Sequence, residues 1–338
     1  MTSLDTSADA VLSSSPDAPG EPEAQLEAHR VELTAYCYRM LASASEAEDA
    51  VQDTMVRAWR GLDKFEGRAA LRSWLYRIAT NVCLDMLRGR ERRARPMDMG
   101  PAQPFDAPLG GTLPEVTWVT PVPDARVLPA VSDPADVAVS RDSVRLALVA
   151  ALQHLPPKQR AVLILREVLA WKASEVAELL DTTEASVNSA LQRARATLAA
   201  GDVDVADRSA PMDDEQRALL ERYVDAFQRY DMSALTSLLH EDATQSMPPF
   251  ELWLRGREDI LGFWTGTGAA CRNSILVPTS ANGRPAFGQY KPSGPDGSYE
   301  PWALQVLEVS DGRIVEFAFF LDTETLFPLF GLPATPPS

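Results

Sequence analysis

Between Pro96 and Pro134 the chain carries nine prolines, at positions 96, 101, 104, 108, 114, 121, 123, 129 and 134. Proline fixes φ and has no amide donor, so neither a helix nor an inner strand can run through such a stretch. Whatever folds on either side must build its own core. At 338 residues and 45% apolar composition the chain has material for two or three domains. Residues 96–139 therefore read as an extended, flexible linker.

Both sides of the linker carry helical periodicity. Before it, residues 26–95 form one unit in which Val51, Met55, Ala58, Trp59 and Leu62 recur on one helix face. The opposite face holds Glu48, Asp49, Gln52, Asp53 and Arg57 and is expected to stay wet, with Trp59 in the core. From Phe65 to Arg95 aromatic residues and arginines interleave on what reads as one long helix, with Trp74, Leu75, Ile78, Val82 and Leu87 at core spacing.

After the linker, residues 140–200 start with Val144, Leu148, Leu152 and Leu155, break at Pro156-Pro157 and resume from Lys158 to about Leu169. Val176, Leu179 and Leu180 then stripe a short helix, Asp181-Thr182-Thr183 turns the chain, and Val187, Leu191, Ala194 and Leu198 stripe a second. Two short helices on a three-residue polar turn make a helix-turn-helix.

Charge separates along the same boundaries. The whole chain carries −16, yet residues 66–95 hold eight arginines against three acids, a net of +5. A segregated basic excess beside aromatic residues points to a polyanionic partner. Arg90, Arg92, Arg93 and Arg95 are read as phosphate contacts. The three cysteines show no C-x-x-C spacing, which fits reduced thiols. Neither a signal-peptide pattern nor a run of about eighteen apolar residues occurs, so a cytoplasmic location is expected. Residues 1–25, rich in Ser, Asp, Pro and Glu, read as a disordered acidic tail.

Beyond a second linker at 201–212, the pattern changes at 213–338. Helical runs at Leu220, Tyr223, Val224 and Phe227 and at Leu235, Leu238 and Leu239 precede strand-like runs at 243–247, 274–279, 301–309 and 313–320. Asn282-Gly283 and Asp311-Gly312 supply hairpin turns. On the last strand Val315, Phe317 and Phe319 are placed on one face and Ile314, Ala318 and Phe320 on the other. The fold expected is an α+β domain, helices first and then a curved antiparallel sheet.

Taken in order, EAEDAVQDTMVRAWRGL, FEGRAALRSWLYRIATNVCLDMLR and LPPKQRAVLILREVLAWKASEVAELL with its helix-turn-helix resemble the sigma-70 family of bacterial RNA polymerase sigma factors, extracytoplasmic-function type. The resemblance implies two small helical domains, no enzymatic activity, no cofactor and no metal, with core RNA polymerase and promoter DNA as partners. By position it makes Glu66, Gly67, Arg68, Ala69 and Ala70 a loop that receives a flipped base of the minus-ten element. Arg72, Arg77, Asn81 and Arg88 then lie along the DNA-facing helix. Glu48, Asp49, Gln52, Asp53 and Met55 match the polymerase-docking surface. On the helix-turn-helix, Ser186, Asn188, Ser189, Gln192, Arg193 and Arg195 would face duplex DNA. The positions matching Asn188 and Ala190 are usually basic in the family, so neutral residues here shift DNA binding toward the first module.

LLERYVDAFQRYDMSALTSLLHEDATQSMPP, LRGREDILGFW and SDGRIVEFAFFLD resemble the SnoaL-like domain, a cone-shaped α+β fold. That resemblance implies an apolar cavity, with Phe227, Trp253, Trp264, Trp302 and Phe319 among its lining. It leaves the domain either a small-molecule ligand or an intramolecular contact. Candidate acid/base groups are His240, Asp242, Asp231 and Asp322, with His240 read as a cap or surface residue. The overall expectation is a mainly α protein: two helical domains on a flexible linker plus a C-terminal α+β domain. Its function is expected to be transcription initiation, modulated by that last domain. A small-molecule enzyme fused to the helical modules, of cyclase or isomerase type, and a helix-turn-helix repressor are the rival readings.

Overall fold

The computed structural model describes residues 21–62, 65, 70–129, 134–200 and 214–337. Most of the proposed tail, the second linker and the loop residues Glu66, Gly67, Arg68 and Ala69 lie outside them.

The first helical unit comprises α1 (Glu21–Glu27), α2 (Arg30–Leu41), α3 (Ala44–Gly61) and α4 (Leu71–Met86). α1 begins within the stretch read as tail. Every residue of α2 from Leu33 to Leu41 is buried, because LTAYCYRML has no stripe polar enough to face water. A helix that is apolar all round must be covered all round. α3 and α4 cover part of it. The remainder is covered from outside the unit, by α5 (Asp124–Val127) and, beyond α6 (Pro134–Ser143), by α7 (Leu146–Gln153) and α8 (Pro157–Leu163).

Two buried guanidinium groups seal that contact. Arg39 of α2 donates to the Ser143 carbonyl at 3.1 Å and to its hydroxyl. Arg160 of α8 donates to the Met40 carbonyl, the Gln153 side-chain oxygen and the Leu155 carbonyl. Burial pulls both groups down to about 10, which still leaves them charged near neutrality. After α8 a wide turn over Ile164–Val168 leads to α9 (Ala173–Leu179) and α10 (Glu184–Ala200), the helix-turn-helix.

The linker departs from the expected flexible tether. Ala94 and Trp118 form a parallel bridge, with Ala94 N–H on Thr117 O at 2.8 Å and Val119 N–H on Ala94 O at 3.1 Å. Some of its other amides close local turns, and three of those described bond outward to backbone carbonyls: Gln103 to Trp253 O, Leu113 to Pro249 O and Thr120 to Ala42 O. Trp118, Val119, Val122 and Val127 are buried. Proline forbids regular ladders but not single bonds from the residues between, and four large apolar side chains anchor the strap.

The C-terminal unit consists of α11 (Asp214–Arg229), α12 (Met232–Leu238), β1 (Leu239–Ser246), β2 (Trp253–Arg255), α13 (Arg257–Thr265), β3 (Ile275–Ala281), β4 (Arg284–Lys291), β5 (Glu300–Ser310), β6 (Arg313–Phe320) and α14 (Thr323–Leu329). The sheet order is β2-β1-β6-β5-β4-β3, antiparallel except for β1 beside β6. One face packs Tyr223, Phe227, Phe263, Phe317 and Phe319. The other packs Ala286, Leu304, Val306, Ala318 and Phe320 under Leu326 of α14.

Three strands differ from the sequence expectation. β2 and β4 lie outside the strand-like runs, β2 because it is only three residues long and β4 because Pro285 and Gly288 are poor strand formers. On β6 the ladder jumps between Glu308↔Glu316 and Val309↔Ile314, leaving Val315 as a bulge. The bulge carries Ile314 to the Phe317 side of the sheet.

A packed strap has a measurable consequence. Trp118 is 3% exposed, so Trp118→Ala should cost about 3–5 kcal/mol in urea unfolding; a free tether would leave the midpoint unchanged.

Candidate nucleic-acid interface

Leu71–Met86 is shorter than the helix expected over 65–95. The chain leaves it by way of Gly89, at φ +74, so the arginine run does not continue the helix. Ala70 is the exposed residue preceding α4, and Arg72, Arg77, Asn81 and Arg88 are exposed as well. Leu75 and Val82 are buried, while Trp74, Ile78 and Leu87 are half-buried, with Trp74 stacked on Phe65 at 5.0 Å.

Arg72 is held. Its Nε donates to Glu32 Oε2 at 2.8 Å, and its guanidinium lies 5.3 Å from the Tyr76 ring and 5.6 Å from the Trp171 ring. Trp171 belongs to the segment before α9 and packs on Tyr76 at 5.1 Å. Burial pushes the Tyr76 phenol well above its usual range, so it stays a donor, to Glu32 at 3.2 Å. The second helical unit thus stands beside the N-terminal end of the DNA-facing stripe. Arg88 pairs with Asp85 at 3.0 Å.

Of the four arginines read as phosphate contacts, Arg93 and Arg95 turn into the protein, whereas Arg90 and Arg92 are exposed and meet protein partners at the surface. Arg93 is 7% exposed and donates to Glu115 O at 2.9 Å and Trp118 O at 2.8 Å. Arg90 and Arg93 both meet Glu46, Arg92 meets His154, and Arg95 meets Asp98 and, at 3.8 Å, Glu316. Arg93, bonded to the Glu115 and Trp118 carbonyls and paired with Glu46, clips the strap to α3. Sequence alone cannot tell a carbonyl-bound arginine from a phosphate-bound one.

On α10, Ser186, Asn188, Ser189, Gln192, Arg193 and Arg195 are all exposed, over a buried stripe of Val187, Leu191, Ala194 and Leu198. Thr183 Oγ1 accepts the Ser186 amide at 3.2 Å and starts the helix. Arg195 pairs with Glu167 while its side chain stays exposed. Ala190 is half-buried against the core, so a side chain there points inward.

On α3, Asp49 and Gln52 are exposed, Asp53 pairs with Arg57 at 2.7 Å and Met55 is half-buried. Glu48 faces Arg126 of α5 at 3.4 Å. Trp59 is 51% exposed and Val56 is exposed too, so the expected core tryptophan sits on the surface.

In the C-terminal unit Phe227, Trp264, Trp302 and Phe319 line one cavity of about 40 Å³, room for little more than a water. Trp253 is not among its lining. It sits at the sheet edge and donates its indole N–H to Gly100 O at 2.9 Å. Gln245 and Gln289, which sequence reading passed over, supply the polar lining. They belong to neutral bonds: Trp264 Nε1 to Gln245 at 2.7 Å, Tyr223 to Gln305 at 2.6 Å, and Gln305 to Gln289 at 2.8 Å. Three of the four acid/base candidates bond backbone amides, and the Asp242 carboxylate lies 3.8 Å from Arg255. Asp231 caps α12, Asp322 caps α14, and His240 Nδ1 accepts the Asp242 amide at 3.1 Å.

The feature sequence reading recognised only as a turn is Asn282. It and Gly283 take φ +57 and +72 between β3 and β4, and a Cβ on Gly283 would stand 2.8 Å from Arg141 Cβ. Asn282 Nδ2 donates to Tyr38 Oη at 2.7 Å and Val144 O at 2.6 Å, and its Oδ1 accepts the Val122 amide at 3.0 Å. One buried side chain joins the first helical unit, the linker and the second helical unit to the sheet. Exposure also predicts that Trp59→Ala will shift the unfolding free energy by no more than about 0.5 kcal/mol, checked by the same urea titration.

Comparison with known proteins follows the same three units. The Sigma-70 region 2 model matches residues 26–93, the Sigma-70 region 4 model residues 145–198 and the SnoaL-like domain model residues 220–317. The chain is 44% identical over 319 residues to the ECF RNA polymerase sigma factor SigG of Mycobacterium tuberculosis, covering 93% of this chain and 84% of that one. It is 31% identical to the ECF RNA polymerase sigma factor SigW of Bacillus subtilis over 48% of this chain and 78% of that one. The fold matches the crystal structure of Mycobacterium tuberculosis SigJ with a TM-score of 0.58 at 23% identity, over 92% of this chain and 99% of that one. Two helical units with these motifs, a SnoaL-like third and a 44% identity to SigG that spans most of both chains place this chain in the family of ECF RNA polymerase sigma factors.

Proposed function

We propose that this chain binds core RNA polymerase in the cytoplasm, directs it to particular promoters and assists melting, with the C-terminal domain restraining these steps. The observation that carries the reading is the hold on Arg72. The guanidinium of Arg72, at the start of the DNA-facing helix, is paired with Glu32 and stands 5.6 Å from the Trp171 ring of the other helical unit.

In this reading α4, preceded by the loop of Glu66, Gly67, Arg68, Ala69 and Ala70, captures unstacked minus-ten bases, with Arg72, Arg77, Asn81 and Arg88 along the strand. Ser186, Asn188, Ser189, Gln192 and Arg193 meet the minus-thirty-five duplex. Asp49, Gln52, Asp53, Met55 and the exposed Trp59 form the polymerase-docking ridge, charge giving the orientation and Trp59 the apolar anchor. Glu48 contributes once Arg126 moves away.

Restraint follows from geometry. A strand laid along the start of α4 would displace Arg72 from Glu32 and meet Trp171 beside it, and the two helical units are fastened through Asn282 to the sheet. Deleting bonds of a buried amide costs the fastened arrangement about 1–3 kcal/mol, a shift of roughly 5–150-fold in a two-state balance. Asn282→Ala in the full chain should therefore raise run-off transcription with core polymerase; unchanged output at every promoter would remove the restraint from the reading. On the DNA side, replacing Arg72 and Arg77 by alanine should reduce promoter opening more than replacing Gln192 and Arg193, read by permanganate reactivity of unpaired thymines. The reverse ranking would move the main DNA contact to the helix-turn-helix.

A further inference from the structure

A cavity of about 250 Å³ opens where four segments far apart in sequence meet: the first turn of α3, the linker near Trp118, Pro248-Pro249 between β1 and β2, and the passage from β6 into α14. Among the described residues, Leu321 is the one lining residue it has in common with the SnoaL-like cavity, and no residue of the DNA-facing stripe or the recognition helix lines it. Its floor is apolar, with Trp118, Phe320 and Leu326 buried and Leu113 and Leu329 half-buried. An apolar cavity of about 150 Å³ suffices for benzene, so this one has room for an aromatic ring with a short chain.

The rim sets the sign of the ligand. Glu115 and Asp322 stand exposed at the mouth, and no Lys, Arg or His is among the described residues that line it. Asp322 Oδ1 accepts the Thr325 amide at 3.3 Å, a cap that fixes the carboxylate at the opening. An anion would find little at the neighbouring start of α3. There the Ala44 amide is bonded to Thr120 Oγ1 at 3.1 Å and the Glu46 amide to Ser43 Oγ at 3.3 Å, with Glu46 itself in the first turn.

We propose that this seam is a binding site for a small amine, an apolar or aromatic body seated on Trp118 and Leu326 with its ammonium group between Glu115 and Asp322. The body gains from leaving water, and the charged head stays at a solvated rim where two carboxylates face it. The site goes beyond the transcriptional reading and does not depend on it.

The test uses the full chain and two matched probes, phenethylammonium and 3-phenylpropionate, followed by saturation-transfer NMR and isothermal titration. The expected result is saturable binding of the amine, about tenfold or more tighter than the acid. Thr325→Trp, a change at an exposed rim position, should block both probes. Glu115→Gln combined with Asp322→Asn should erase the preference for the amine, since asparagine keeps the helix cap. Absence of saturable amine binding, equal or tighter binding of the acid, or binding that survives Thr325→Trp would each overturn the proposal. Binding and transcription are read separately, so the failure of either leaves the other standing.

Discussion

The carboxamide of Asn282 bonds to a phenol of the first helical unit, an amide of the linker and a carbonyl of the second helical unit. A carboxamide suits this place because it offers donors and an acceptor without charge. A carboxylate would have no donor for Val144 O, and a lysine no acceptor for the Val122 amide. The left-handed turn that presents it admits asparagine readily and then requires glycine, because Arg141 closes on the next Cα. Around it the buried Arg39 and Arg160 bind carbonyls and hydroxyls, not carboxylates. The seam between modules is thus fastened mainly by directional bonds to neutral groups, with ion pairs such as Arg145–Glu308 at its margin.

Sequence periodicity was a good guide wherever one face of an element meets water. The stripe Val187, Leu191, Ala194 and Leu198 and the hairpin glycines are of this kind. It was a poor guide where packing is decided across modules. Proline density in the linker concealed Trp118, Val119 and Val122, whose burial depends on partners up to more than a hundred residues away. Trp59 failed for the opposite reason. Helical spacing placed it beside Ala58, but α2 and α4 leave that edge of α3 uncovered. Net charge located the basic segment, whereas the partition of its arginines between strap and surface rests on the fold.

The C-terminal unit keeps the cone-shaped architecture and fills its interior. Tyr223, Gln305, Gln289 and Ser274 pass hydrogen bonds along a buried row of neutral groups. Burial raises the Tyr223 phenol far from physiological pH, so the row offers no proton to move. Its outward face, with Ala286, Leu304 and Phe320, is the surface that α14 and the helical units cover. The sheet acts here as a wall for docking, consistent with the general separation of fold from chemistry.

The enclosure of α2 has a practical corollary. A piece of the chain cut after Arg95 would carry this helix without α5, α7 and α8, laying Tyr38, Leu41 and the Arg39 guanidinium open to water. Such a fragment has an apolar patch and has lost the partners of a buried cation, conditions that favour self-association over a stable monomer. The seams suggested by motif boundaries are therefore poor places to divide this molecule for study, since its first domain is finished by residues that come after the prolines.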